Sequence, residues 1–366
     1  MNLSAEALKA RFPKAIGIQL PYAVSQAAPL PPGGTILEAA TDISVRSGDQ
    51  VYAYRTDDVR VTKIPGGQAV FGFDYVFTPD NVLLSDSGYV GLDMATGWWF
   101  PHVAEGDKVL HPWPPKVTFI DEDVLYMGGP HSFHVGHWIV DFLPRLRARE
   151  VAPMKIAIPQ QLFPKLRDLL KMFDVRPEEV IECELGWRYR FRNIYVVQKG
   201  SGHRPTPGNI TFLHQYMRPR IPGGPAKRTW IVRDAERRRT LNMEAMQKLL
   251  ESFGFYSISL GNMSIADQAA QVGRSQIVIA TYGSDLEASL FMQPGTHLIE
   301  LGYERIRAAH AATTCSFLGV HHHQLISTEE YEVASGMKKD RDFVVDCDAL
   351  KGMLSAIIGR SAPSDS

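Results

Sequence analysis

Three clusters in this chain bring together side chains that can do chemistry. The first lies in 128–149, GGPHSFHVGHWIVDFLPRLRAR. On a helix, His134, His137, Asp141 and Arg145 recur at i, i+3, i+7 and i+11, so they share one face. His137 and Asp141 stand four apart, close enough for a carboxylate to orient an imidazole or to act as base itself. An ordinary polar face with a His–Asp contact would have the same spacing. Nothing in the block fixes a metal geometry. Pro144 cannot donate a backbone hydrogen bond, which predicts a kink or an end there.

The second cluster lies in 230–242, WIVRDAERRRTLN. Arg233 ends an apolar strand, and Arg237, Arg238 and Arg239 occupy the loop before a helix that starts near Asn242. Guanidinium groups at that end of a strand can clamp a diphosphate bidentately, and they can equally form a solvated basic loop. The third lies in 275–301, SQIVIATYGSDLEASLFMQPGTHLIEL. A strand runs into Tyr282-Gly283-Ser284, a short helix begins at Asp285, and a Pro-Gly turn leads to a second strand ending near Glu300. N–H groups at a helix mouth, with a glycine allowing close approach, suit a phosphate or diphosphate. The G-x-S-x-G pattern of a nucleophile elbow is absent around Ser284.

Two other motifs look like metal sites and read otherwise. Asp346-Cys347-Asp348 has a D-x-D form but precedes a helix, where an aspartate caps. His321-His322-His323 falls in a strand, where neighbours point to opposite faces and the three cannot converge.

The elements that position these clusters alternate. Strand signals at MKIAIP, RNIYVVQ, TWIVRD, FYSISL and HHHQLIS are separated by helical patterns, among them LNMEAMQKLLESFG, which ends at Gly254, and SIADQAAQVGRS, which Ser264 caps. Such alternation predicts a parallel sheet with helices on both faces and ligands beyond the carboxyl ends of its strands. Residues 35–120 read instead as short strands between turn signals: TILEAA, QVYAYRT, VRVTKI, QAVFGFDYVFT and KVTFI. VLYMGG is a further strand leading to a helix near 133–149. Amphipathic spacing predicts a first helix in MNLSAEALKARFPKAI rather than a signal sequence. RPRIPGGPAKR reads as a linker and SAPSDS as a disordered tail.

Bulk properties narrow the classes. The chain has 366 residues, 45% hydrophobic and 22% charged, with a formal net charge of −1. That length fits two domains, and the charge balance argues against nucleic acid as the partner. No apolar run reaches the roughly 18 residues of a membrane span. Three cysteines without metal spacing read as reduced thiols.

The ordered set of blocks resembles glycosyltransferase family 61, in its bacterial branch linked to surface polysaccharides. That family has a Gly-His-Trp, Asp, Leu-Pro-Arg block, matched by Gly136-His137-Trp138, Asp141 and Leu143-Pro144-Arg145. Its strand ending in Ser-Arg, Arg-rich loop and Asn-Glu pair are matched by Val232-Arg233, Arg237–Arg239 and Asn242, with Met243 in place of Glu. A helical Gln corresponds to Gln268. The last block, His-Gly-Ala-Gly-Leu-x-Asn, Phe, Pro-Gly and Glu, is matched by Tyr282, Gly283, Ser284, Asp285, Leu286, Ala288, Phe291, Pro294, Gly295 and Glu300. Tyr282 and Ala288 stand where the family has His and Asn. The resemblance covers about 125–302.

The resemblance implies a GT-B-like α/β fold, two Rossmann-like domains facing across a cleft, with a β-rich N-terminal segment. Residues 1–222 would form the acceptor side, 223–346 the nucleotide-sugar-binding domain, and 347–366 a final helix and tail. It implies inverting transfer of a hexosyl or pentosyl group from a nucleotide sugar to a glycan or lipid-linked acceptor hydroxyl, without a metal or other cofactor. Asp141 or His137 would be the base. Arg233, Arg237, Arg238, Arg239, Asn242, Tyr282, Gly283, Ser284, Asp285 and Glu300 would hold the donor, and His134, Trp138 and Arg145 would face the acceptor. The implied location is cytoplasmic, at the inner membrane face where the acceptor is lipid-linked. The alternatives are a sugar-nucleotide epimerase of the same architecture and a non-catalytic nucleotide-sugar-binding protein, the latter favoured by Tyr282 and Ala288.

Overall fold

In the computed structural model the described residues are 33–47, 50–71, 75–80, 84, 117–128, 132, 134–160, 162, 164–184, 187–198, 205–218, 227–233, 238–303, 309–333 and 341–361, with short strands at 16–19, 103–105 and 108–113. The expected first helix, the linker through 219–226, the tail and Arg237 lie outside them. The chain divides into two compact units, one of 1–42 and 55–204, the other of 43–54 and 205–366.

The first unit is built on an eight-stranded mixed sheet. Its strands are β1 (Thr35–Glu38), β2 (Val59–Pro65), β3 (Gln68–Val70), β4 (Tyr75–Phe77), β5 (Val117–Tyr126), β6 (Lys155–Pro159), β7 (Val180–Cys183) and β8 (Arg188–Gln198). Spatial order is β7-β6-β5-β8-β2-β1, with β3 and β4 extending from β8. The four strands β7, β6, β5 and β8 are parallel, and β1 to β4 join antiparallel, so the β-rich segment extends an α/β sheet. KVTFI and VLYMGG, expected as separate strands, are one strand. A register shift between Ile120 and Asp123 absorbs the intervening acidic residues. Buried Tyr126, Phe71, Phe191, Ile194 and Ile64 pack together in its core.

Helix α1 runs over 135–150 and changes pitch within itself: α over Val135–His137, π over Trp138–Phe142, 3-10 over Leu143–Glu150. Pro144 explains the change, because it donates nothing to Val140 and its ring would crowd that carbonyl. The helix widens just before the proline and tightens after it. Helix α2 (Pro164–Met172) buries Leu166, Leu169 and Leu170.

In the second unit, helices α3 (Pro207–Met217), α4 (Met243–Ser252), α5 (Ile265–Val272), α6 (Ala309–Leu318) and α7 (Cys347–Ser361) surround a five-stranded sheet. The sheet consists of β9 (Lys227–Ile231), β10 (Phe255–Ile258), β11 (Ser275–Thr281), β12 (His297–Tyr303) and β13 (His321–Ser327). All are parallel, in the order β10-β9-β11-β12-β13. Ile277, Ile279, Ile299, Leu301 and Tyr303 turn one face toward Met246 and Leu250 of α4 and Leu350, Leu354 and Ile357 of α7. Each such burial contributes about 1.5–3 kcal/mol. The helix starts are capped as their sequences predict. Ser264 accepts from the Asp267 amide, and Asp346 accepts from the Ala349 amide. Asp346 therefore serves α7. Gly254 closes α4 with φ +71°.

A hairpin from far upstream completes this unit. Its strands, Asp42–Ser47 and Gln50–Arg55, alternate exposed and more buried residues. Ile43 and Val45 pack on Ala312 and Phe317. Among the described residues no helix is long and apolar enough to cross a membrane. Cys183, Cys315 and Cys347 are free thiols, and burial pushes the first two well up from the ordinary thiol range.

Candidate functional site

Each parallel sheet has one point where its winding reverses, and ligands bind outside the carboxyl ends of the strands at that point. In the first unit the chain order of the parallel strands is 3-2-1-4, so the reversal lies between β5 and β8. In the second it is 2-1-3-4-5, and the reversal lies between β9 and β11. Residues from each of the three chemical clusters fall at these two places.

After β5 the chain leads into α1, where His137 and Asp141 meet. His137 Nδ1 lies 2.8 Å from Asp141 Oδ2. The aspartate side chain is fully buried while the imidazole is 24% exposed. An ionised carboxylate only accepts, so in a neutral ring paired with it Nδ1 carries the proton and Nε2 is the acceptor nitrogen. The exposed His134, at the N-cap of α1, sets its ring edge-on to His137 with centroids 5.9 Å apart. Burial separates the two: His137 faces outward and Asp141 lies behind it.

The expected four-residue stripe does not persist. The π turn rotates the residues after it, and Arg145 turns inward, donating from Nε to the Asp141 carbonyl at 3.3 Å and from Nη1 to the Tyr126 carbonyl at 3.4 Å. Its guanidinium lies 4.4 Å from the Phe142 ring centroid. Trp138 also turns inward. It is fully buried, donates from Nε1 to the Leu166 carbonyl at 3.1 Å and stacks on Phe142. Trp138 and Arg145 thus hold α1 against β5 and α2 rather than facing outward.

In the second unit the register pairs Ile231 of β9 with Ala280 of β11. Two residues further on, Arg233 comes abreast of Tyr282. Gly283 has φ +142° and ψ −160°, a conformation open essentially to glycine. A β-carbon there would lie 2.5 Å from Arg233 Nη1, so the guanidinium rests against the bare α-carbon. The same Nη1 donates to Asp285 Oδ2 at 3.1 Å. Ser284 is exposed and begins a 3-10 helix, Ser284–Phe291, in place of the expected α-helix. Arg238, with φ +60°, is 8% exposed, and its guanidinium carbon is 5.2 Å from the Tyr282 ring centroid.

The other expected donor residues have structural partners. Arg239 donates from its amide and side chain to both carboxylate oxygens of Asp342. Asn242 clasps the Val345 backbone, donating to its carbonyl and accepting from its amide. Gln268 donates to the Leu260 carbonyl. Met243 packs on the core and Ala288 is buried. Glu300 stands mid-strand, because β12 continues to Tyr303, and it is buried against His322 Nε2 at 2.9 Å and Gln324 Nε2 at 3.2 Å. His322 Nδ1 in turn meets Ser47 Oγ of the hairpin at 2.6 Å. His321 and His323 point the other way, toward His297. Among the described residues no three His, Cys, Asp or Glu side chains form a metal-holding group.

Sequence reasoning missed the hairpin contribution. Its alternating DISVRS pattern is a strand signal, but nothing local ties it to residues 275 positions away.

Residues 135–299 match the family model described as Glycosyltransferase 61. The match opens at the first residue of α1 and closes inside β12, so it contains His137, Asp141, Arg233 and Gly283. No curated protein matches the chain.

Proposed function

From the membership of residues 135–299 in glycosyltransferase family 61, we propose that this protein transfers a sugar from a nucleotide-sugar donor to a glycan hydroxyl with inversion. The observation that carries this reading is the reversal point of the second sheet. There a guanidinium, a bare α-carbon and a helix start meet at the end of two parallel strands. Arg233 would share the charge that develops on the leaving diphosphate, with Arg238 beside it. This is transition-state electrostatics from fixed donors, and we propose that it needs no metal.

His137 would act as base. Its Nε2 would accept the acceptor hydroxyl proton while Asp141 stabilises the imidazolium that forms. The hydroxyl oxygen attacks the anomeric carbon as the bond to the diphosphate oxygen breaks, and the diphosphate leaves with that bonding pair. Asp141 is too deeply buried to reach an acceptor itself. The two parallel reversal points, one per unit, support a GT-B architecture with donor and acceptor functions on separate units. The bacterial polysaccharide context, the hexosyl or pentosyl donor, a lipid-linked acceptor and a cytoplasmic site at the membrane face belong to the same proposal and rest on the family resemblance.

A thermal-shift screen with UDP, GDP, dTDP and their sugar conjugates, followed by product analysis with and without EDTA, tests it. A nucleotide hit with EDTA-insensitive transfer to a glycan supports it. A nucleotide hit without turnover in any acceptor mixture replaces it with the binding-protein reading, which Tyr282 and Ala288 favour. Conversion of the sugar nucleotide without acceptor replaces it with an epimerase.

A further inference from the structure

Tyr282 stands beside Gly283 in the second unit, where the family pattern has histidine. Its ring does something specific. The Arg238 guanidinium carbon sits 5.2 Å from the ring centroid, and Arg238 is 8% exposed. Arg238 itself has φ +60°, a left-handed conformation uncommon for a non-glycine residue. The ring itself is anchored. Tyr282 packs against the core formed by α4, α7 and the sheet, and its amide donates to the Leu301 carbonyl at 2.9 Å. A firm ring, a buried cation and an unusual backbone angle therefore coincide. Arg233 lies against Gly283, the next residue after Tyr282.

We infer that Tyr282 is a positioning residue that holds Arg238 by cation–π attraction, so that Arg238 and Arg233 bracket a nucleoside diphosphate at the reversal point. The inference rests on the donor-site reading above and deepens it. Attraction to a ring face suits a guanidinium, because the contact does not itself use N–H donors. The tyrosine is thus a substitution with a task. A neutral histidine offers a smaller ring, and a protonated one would repel the guanidinium.

The test is calorimetric titration of UDP, GDP and dTDP into the full chain and into four variants. Tyr282→Leu, which removes the ring, should weaken the diphosphate that binds the wild type by about fivefold to thirtyfold. Tyr282→Phe, which keeps the ring, should rescue binding to within about twofold of wild type. Arg238→Ala should weaken binding at least as much as Tyr282→Leu. In the double variant Arg238→Ala/Tyr282→Leu, losing the ring should cost no further affinity, since its client is gone. A merely structural tyrosine would lower affinity independently of Arg238, and the two losses would multiply. Multiplying losses, a phenylalanine as weak as leucine, or a leucine as tight as wild type each overturns the inference while leaving the donor site standing. If wild type binds none of the three diphosphates, the donor-site reading falls and this inference with it.

Discussion

The reversal points of the two sheets make a pair of opposites. In the first unit the polar pair sits inside one helix, a carboxylate in the core and an imidazole at the surface, four residues apart. In the second they come from two different loops, brought abreast by strand register. One is organised by burial and presents an imidazole. The other is organised by a missing side chain and offers positive charge. The contrast shows two ways to hold a polar group still. A helix interior fixes an acid behind its partner, whereas a loop needs a glycine so that a guanidinium can lie against the backbone.

Single substitutions can probe each half of this contrast. The largest effect is expected in the first unit. Asp141→Asn should lower turnover by about 10³–10⁴-fold, because an amide no longer fixes the Nδ1–H tautomer, while nucleotide affinity stays put. Single-turnover rates beside titration calorimetry would check this, and unchanged turnover would remove His137 and Asp141 from the reaction. Next in size is Gly283→Ala. The new β-carbon lands 2.5 Å from Arg233 Nη1, and the alanine must adopt φ +142°. Diphosphate affinity should fall about tenfold to a hundredfold, with about 1–3 kcal/mol of stability lost to backbone strain. Donor titration and chemical denaturation separate the two effects.

Trp138→Phe probes the scaffold of the first site. It loses the bond from Nε1 to the Leu166 carbonyl and leaves a small void, which together cost about 1–3 kcal/mol of stability. Acceptor KM should not change with it, and a shift in KM with unchanged Tm would return Trp138 to the acceptor side. The smallest effect is expected for Asp285→Asn, and it runs in the opposite direction. Asp285 Oδ2 occupies Arg233 at 3.1 Å, as a phosphate oxygen would. Removing its charge should tighten diphosphate binding by about threefold to tenfold, roughly the 1 kcal/mol Coulomb energy of two such charges in water. Weaker binding would mean that the carboxylate aims the guanidinium rather than competing for it.

These outcomes also measure how far the sequence could be read. Strand–helix alternation foretold the parallel sheet of the second unit, since buried parallel strands are apolar runs with capped helices between them. The His137–Asp141 contact comes from i, i+4 arithmetic and survives the π turn. Arg145 departs from its expected face, because helical projection assumes a constant pitch and Pro144 breaks it. Trp138 and Glu300 look functional by residue type, and only burial shows the indole and carboxylate occupied by Leu166 and His322. Arg233 against Gly283 was half legible. Both residues stand out, but their contact depends on a register that no local pattern encodes. The Tyr282–Arg238 pairing was illegible, since the two residues lie in separate loops that no local pattern relates.

The hairpin 43–54 carries a consequence in time rather than space. Ser47 reaches its partner His322 across 275 residues of chain. At about 5–20 residues per second of synthesis, the hairpin waits roughly 15–55 s for the groove formed by Ala312, Phe317 and His322 to be made. During that interval Ile43 and Val45 have no native surface to cover. The second unit is therefore completed by a segment translated well before the surface it covers. A fragment beginning at residue 205 would lack that closure, leaving Ala312 and Phe317 bare and Glu300–His322 without its serine.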